Sequence, residues 1–200
     1  MEKRYVQRFK NFLDSGTPNA QAIEVALCIL AVASLPVLVF MAAVMGNVVQ
    51  VFKQFKTAKR FNASQVRSSV NHLRREKFIE YITDKNGKTI VKITKKGKSK
   101  LREFDIELMS IKKQKKWDKK WRLVMYDLPI RFRKAREALR WKLKELGFYQ
   151  FQKSAWIYPY PCEDEIIFIA DFYGVRSFVG FLIVSDISRE ETMKKYFNLG

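Results

Sequence analysis

Two sets of side chains in this 200-residue chain have the types and spacing to do chemistry. The first is a carboxylate at a strand tip: the apolar run Leu123-Val124-Met125-Tyr126 ends on Asp127, and Leu128-Pro129 and a basic stretch follow. A carboxylate so placed suits an octahedral Mg²⁺ site filled mostly by water and phosphate oxygens. Alternatively, it accepts backbone N–H bonds and caps the turn into the next helix. With no acidic residue beside it, no catalytic role is assigned, and Asp127 remains a metal ligand only under a nuclease reading. The second set is a row of hydrogen-bonding groups, Gln65, Arg67, Ser68, Ser69, Asn71, His72, Arg74 and Arg75, interleaved with Val66, Val70 and Leu73. Donors of this kind address phosphates and base edges. His72 is the only histidine, which excludes a site built from several imidazoles. Cys28 and Cys162 show no metal spacing and imply neither a disulfide framework nor a zinc site. No cofactor is expected.

The elements that would hold the donor row follow from local signals. Asn62-Ala63-Ser64-Gln65 has the form of a capping box, and Val66, Val70 and Leu73 then recur at helical spacing as a single core stripe. The β-branched and aromatic runs Phe78 to Thr83 and Lys88 to Ile93 flank Asp84-Lys85-Asn86-Gly87, a strong hairpin signal because a type I′ turn needs positive φ at both central residues. Thr94 in Ile93-Thr94-Lys95-Lys96-Gly97 can cap a following helix carrying Leu101, Phe104 and Leu108. Helix, hairpin, helix is the back half of a winged helix-turn-helix. Lys85 and Lys88 at the hairpin tip join Arg67, Arg74 and Arg75 as expected phosphate contacts. Gln65, Ser68, Ser69, Asn71 and His72 are the expected base-edge contacts.

Charge and hydropathy divide the chain further. The formal charge is +19, and residues 53–122 hold 23 Lys and Arg against 7 Asp and Glu. Basicity concentrated in one segment points to a polyanion partner there. Residues 111–120 carry six lysines and read as an exposed linker. Residues 1–24 read as a tail with a brief amphipathic helix (Val6, Phe9, Phe12, Leu13). From Val25 through Val51 no residue is charged, and about 20 apolar residues suffice to span a bilayer. This predicts a membrane span over residues 25–51, with 25–46 in contact with lipid. Lys53, Lys56, Lys59 and Arg60 then place residues 52–200 in the cytoplasm. The competing expectation is that Pro36 separates two helices buried in the winged-helix domain, which would span residues 52–110.

From Trp121 onward the pattern predicts a strand (Trp121 to Tyr126), a helix (Arg131 to Leu146), two strands (Phe148 to Gln152 and Ala155 to Tyr158), a helix (Glu163 to Tyr173), a strand (Phe178 to Ser185) and a last helix (Arg189 to Phe197). That is βαββαβ, the ferredoxin-like plan, over residues 121–200. The expected fold class is therefore α+β. The helix from Arg131 sets Ala135, Ala138, Leu139 and Leu146 against Arg133, Lys134, Arg136, Arg140, Lys142 and Lys144, a solvated basic face or a second nucleic-acid face. Trp156, Tyr158 and Tyr160 either stack on bases or belong to the core or a dimer surface.

The strand-end Tyr126-Asp127-Leu128-Pro129, the Arg133-Lys134-Ala135-Arg136 and Ala138-Leu139 helix, Leu146-Gly147-Phe148, and Gln152-Lys153-Ser154-Ala155-Trp156 ahead of Pro159-Tyr160-Pro161-Cys162 resemble the central domain of the PaaX-type repressors. That domain is itself a relative of the small CRISPR adaptation protein Cas-two. The resemblance implies a DNA-binding transcriptional regulator, acting on double-stranded DNA as a homodimer joined through its ferredoxin-like domain. In Cas-two proteins the strand-end aspartate is the proposed metal ligand, and Asp127 is its match. The alternatives are a metal-dependent, Cas-two-like endonuclease or adaptation protein, and a membrane-anchored adaptor. The family's further C-terminal domain has no counterpart in these 200 residues, and no effector site is carried over from it.

Overall fold

Asn62 decides where the donor-bearing helix begins. Its side-chain oxygen accepts from the Gln65 backbone N–H at 2.8 Å, and the Gln65 side-chain oxygen accepts from the Asn62 N–H at 2.9 Å. Two of the N–H groups that a helix start leaves unpaired are thereby satisfied. The computed structural model describes residues 2–15, 21, 24–28, 59, 61–83 and 89–199. These fall into two units, Met1–Leu108 and Met109–Gly200, forming a mixed α/β protein with two sheets.

In the first unit, α1 (Glu2–Ser15), a helical stretch over 24–28 and α2 (Ala63–Arg75) precede a hairpin, β1 (Ile79–Thr83) and β2 (Thr89–Ile93), and α3 (Lys95–Glu107) follows. The strands pair antiparallel, with Ile79 opposite Ile93 and Thr83 opposite Thr89; the Asn86-Gly87 turn lies outside the described residues. Val66, Val70 and Leu73 of α2 are buried together with Ile79, Ile93, Leu101 and Phe104. Gly97 explains the start of α3. Thr94 caps the helix by accepting from the Gly97 N–H at 3.1 Å, and a Cβ at Gly97 would collide with the Phe78 carbonyl oxygen. Only a residue without a side chain lets the helix approach the first strand this closely.

Two expectations are corrected here. The amphipathic helix expected within the tail is present as α1, but it is packed rather than trailing: Phe9, Phe12 and Leu13 are core residues, Phe12 meets Phe104 edge-on at 5.1 Å, and Arg8 pairs with the buried Asp105. The expected membrane span does not begin at Val25 either, because Val25, Ala26, Leu27 and Cys28 are at most 4% exposed within this same core. Apolar side chains leave water equally well into lipid or into a protein interior, and here they share one core with Phe9 and Leu73. Residues 29–58, the remainder of that segment and more, lie outside the described residues. Among the described residues no helix is long and apolar enough to cross a membrane.

The second unit runs β3 (Trp121–Tyr126), a 3-10 turn (Ile130–Phe132), α4 (Arg133–Glu145), β4 (Tyr149–Gln152), β5 (Ala155–Tyr158), α5 (Glu163–Phe172), β6 (Val179–Val184) and α6 (Glu190–Phe197). The sheet order is β4-β5-β3-β6 with every pair antiparallel, so β3 is central and α4 and α5 each carry the chain across an intervening strand. α4 and α5 end alike. The Phe148 N–H donates to the Leu143 carbonyl and the Gly147 N–H to Lys144; Val175 and Gly174 do the same to Ala170 and Asp171. Gly147 and Gly174 take the positive φ this cap demands, at 84° and 67°. On one sheet face Trp121 and Ile157 are buried under Met193 of α6. Farther along that face Met125 and Leu182 stay 39% and 46% exposed.

The lysine-dense stretch 111–120 is only in part the exposed linker its charge predicts. Trp117 packs on Trp121 at 4.7 Å, and Asp118 forms a two-point ion pair with the buried Arg122. One aromatic and one carboxylate anchor its last residues to the sheet.

Candidate nucleic-acid interface

The capping box and the buried stripe together set which residues of α2 face outward. With Val66, Val70 and Leu73 turned inward, Ser64, Arg67, Ser68, Asn71 and Arg75 are exposed, His72 is half-buried, and with Ser69 they line a shallow concavity of about 690 Å³. Two of the expected contacts are already occupied. Ser69 is buried and its hydroxyl donates to the Gln65 carbonyl at 2.9 Å, while the Gln65 side-chain oxygen is held by the cap. Both residues shape the helix more than its outer surface. Ser64 joins the face although the charge pattern did not mark it; its signal is the four-residue spacing to Ser68, which stacks the two hydroxyls on one side of the helix.

Arg74 lies over the Tyr81 ring of β1, 4.9 Å from its centroid, so the hairpin holds its guanidinium in place. Arg75 Nη2 lies 3.0 Å from His72 Nδ1. On the hairpin itself, Lys92 pairs with Glu80 across the strands at 3.7 Å. Lys96 at the start of α3 donates to the Glu76 carbonyl at 2.8 Å and sits over the Phe78 ring. Lys85 and Lys88 lie outside the described residues.

The second unit treats its candidates differently. Trp156 and Tyr158 are 3% exposed and belong to the core: the Trp156 indole N–H donates to the Tyr126 hydroxyl at 3.3 Å, and Tyr158 stacks on Phe148 at 4.7 Å. Burial pushes the Tyr158 phenol up to about 12. Neither ring is presented to bases. The basic face of α4 is thinner than its composition suggests, because Lys142 is buried with its ammonium on Glu145 at 2.9 Å, and Arg136 donates to the Leu128 carbonyl. What α4 does present, with β4 and α6, is a concavity of about 500 Å³ in which Trp141 and Tyr196 are exposed beside Arg140 and Lys144.

Asp127 is exposed at the end of β3, and its backbone N–H donates to the Phe178 carbonyl at 3.1 Å. Its side chain does not cap the following turn, where Pro129 precedes the first residues without any side-chain bond. Among the described residues no group of three His, Cys, Asp or Glu side chains could hold a metal ion. A lone carboxylate offers a divalent cation one or two of the six oxygens it needs. The cysteines offer no alternative. Desolvation, reinforced by Glu24, raises the Cys28 thiol well above its usual value; desolvation with Glu165 pushes Cys162 up to about 12. Both stay protonated and are poor nucleophiles at neutral pH.

Comparison with known proteins adds one finding. Residues 114–195 match the family model of the PaaX protein central Cas2-like domain. No curated protein matches the chain. The matched residues run from just before Trp117, through the four-stranded sheet and into α6. Over those residues the second unit is thus similar to the PaaX protein central Cas2-like domain.

Proposed function

We propose that this protein is a DNA-binding transcriptional regulator of the PaaX type, in which the first unit is a winged helix that meets duplex DNA through α2 and its hairpin. The observation that carries the reading is the pairing, in one chain, of a PaaX-type central domain with a capped helix whose outer face is made of Arg67, Ser68, Asn71, His72 and Arg75. The helix–hairpin–helix order and the Arg74–Tyr81 contact support the winged-helix assignment. The βαββαβ order with β3 central supports a ferredoxin-like second unit. In a homodimer, the second copy would meet the β6 edge, whose six residues include no charge and no proline, and the exposed Met125 and Leu182 beside it. Twofold pairing would set two reading heads on a twofold operator.

The test is the salt dependence of duplex binding by the full chain. If six to ten phosphates are neutralised, affinity should fall by about three to five orders of magnitude between 50 and 200 mM salt. Salt-independent affinity, or no duplex binding, refutes the reading. A tethered version of the same regulator would extract with the membrane pellet in carbonate. Release into the soluble fraction would instead agree with the core position of Val25 to Cys28. Magnesium-dependent cleavage of DNA or RNA that vanishes in Asp127→Ala would favour the Cas-two-like nuclease.

A further inference from the structure

The run Lys112-Lys113-Gln114-Lys115-Lys116 sets four ammonium groups in five positions, and all five residues are exposed. It belongs to no helix or strand, lying between the end of α3 at Glu107 and the start of β3 at Trp121. Both of its flanks are pinned. Met109 is buried, and Trp117 packs on Trp121 at 4.7 Å while its indole N–H donates to the Lys120 carbonyl at 3.0 Å. The one acid between Lys112 and Trp121 is Asp118, and its carboxylate is committed to the buried Arg122 at 2.7 and 2.6 Å. Among the described residues none of the four lysines is in an ion pair.

Successive lysines sit at most about 7 Å apart along the backbone, within the Debye length of about 8 Å at physiological ionic strength, so their repulsion is only partly screened. A polyanion relieves it. Fully extended, the run covers at most about 14 Å, a length of duplex axis that carries about eight phosphates, so acceptors outnumber the ammonium groups. Pinned flanks also mean that less chain entropy is lost on contact than a free basic tail would lose. We infer that Lys112, Lys113, Lys115 and Lys116 form a strap that binds the phosphates of duplex DNA without reading its sequence. An ammonium on a flexible stem is a point charge, suited to phosphate rather than to two-point recognition of a base edge. This rests on the proposed DNA-binding function and adds to it a contact surface in the second unit, a few residues beyond α3.

The experiment compares two full-length variants that lose the same charge. In the first, Lys112→Gln, Lys113→Gln, Lys115→Gln and Lys116→Gln are combined; in the second, the exposed Lys134, Lys144, Lys153 and Lys195 of the same unit become glutamine instead. Affinity for duplex DNA is measured between about 50 and 200 mM salt. Each neutralised phosphate contributes about 0.9 to the slope of log affinity against log salt, so the first variant should lose about 3.6 of slope and the second less than about 1. The loss should be the same for two duplexes of unrelated sequence, and arginine at all four strap positions should keep the wild-type slope. An unchanged slope in the first variant, or equal losses in both, overturns the strap and leaves the DNA-binding reading standing, as does a loss confined to one sequence. A first variant that keeps the duplex slope but no longer binds phosphatidylserine vesicles overturns it too, and assigns the run to lipid. No duplex binding by the wild-type chain refutes the DNA-binding reading itself, and the strap falls with it.

Discussion

Removing the carboxylate of Asp118 should cost the second unit more stability than removing its partner Arg122. The Arg122 side chain is 6% exposed and makes four hydrogen bonds: two to Asp118 at 2.7 and 2.6 Å, one to the Lys120 carbonyl and one to the Pro159 carbonyl, both at 2.8 Å. Asp118→Ala leaves a buried guanidinium with two neutral carbonyls and no counter-charge. Breaking a buried pair from one side costs about 3–5 kcal/mol. Asp118 itself is 38% exposed, so water can partly take its place, which lowers the expectation to about 2–4 kcal/mol. Arg122→Met keeps much of the stem's packing and deletes the charge. What remains is chiefly the orphaned Pro159 carbonyl, at about 1–3 kcal/mol.

The double mutant should therefore be more stable than the sum of the single losses predicts, by about 1–3 kcal/mol. All four tryptophans, Trp117, Trp121, Trp141 and Trp156, lie in this unit, so urea unfolding followed by tryptophan fluorescence reads it directly. An unchanged midpoint in Asp118→Ala, or strict additivity, would refute the argument. Acid supplies a second check. The Arg122 hydrogen bonds hold the Asp118 carboxyl below its ordinary range. A depressed folded value means that the coupling is fully present above the unfolded-state value of about 3.9 and is lost as pH falls through the lower, folded one. Coupling that grew on acidification would contradict the sign.

Three further outcomes are expected. Gly97→Ala must push α3 off the Phe78 backbone and Ile93, a cost of about 3 kcal/mol, seen as a lower denaturation midpoint for the His72 ring signals; a neutral effect would mean the junction has slack. Lys77 ends α2 at φ 59° in the same cap geometry that Gly147 and Gly174 serve elsewhere, so Lys77→Gly should stabilise the first unit by up to about 1 kcal/mol in the same titration, and a loss would show that the lysine side chain contributes something the cap geometry does not reveal. Asp127→Ala should leave the second unit's urea midpoint within about 0.5 kcal/mol of wild type, because the carboxylate is exposed and caps nothing; a large loss would restore the capping role.

How far the sequence could be read depended on how local each signal was. The Asn62 and Gln65 capping box and the valine and leucine stripe of α2 involve residues at most four apart, and the structure has them as read. The strands and helices of the second unit were likewise marked by period and by Gly147, with α4 starting two residues later than expected because Ile130–Phe132 form a 3-10 turn first. What failed was whatever depended on a distant partner. An uncharged run such as the one starting at Val25 has no period to tell lipid from protein core; that Val25 to Cys28 share a core with Phe9 and Leu73 is a tertiary fact. The lysines around Trp117 and Asp118 masked two anchoring residues, since net charge averages over a segment while packing depends on single side chains. The donor row on α2 was legible as a composition but not as a hydrogen-bond inventory. Ser69 and the Gln65 side-chain oxygen were consumed by the helix itself, and His72 meets Arg75, three residues away, at 3.0 Å. Recognition chemistry is set by what remains unpaired after local bonds are made. On α2 that remainder, with Arg67, Ser68, Asn71 and Arg75 exposed on one face, is rich in donors, and a donor-rich face suits phosphate oxygens, which only accept.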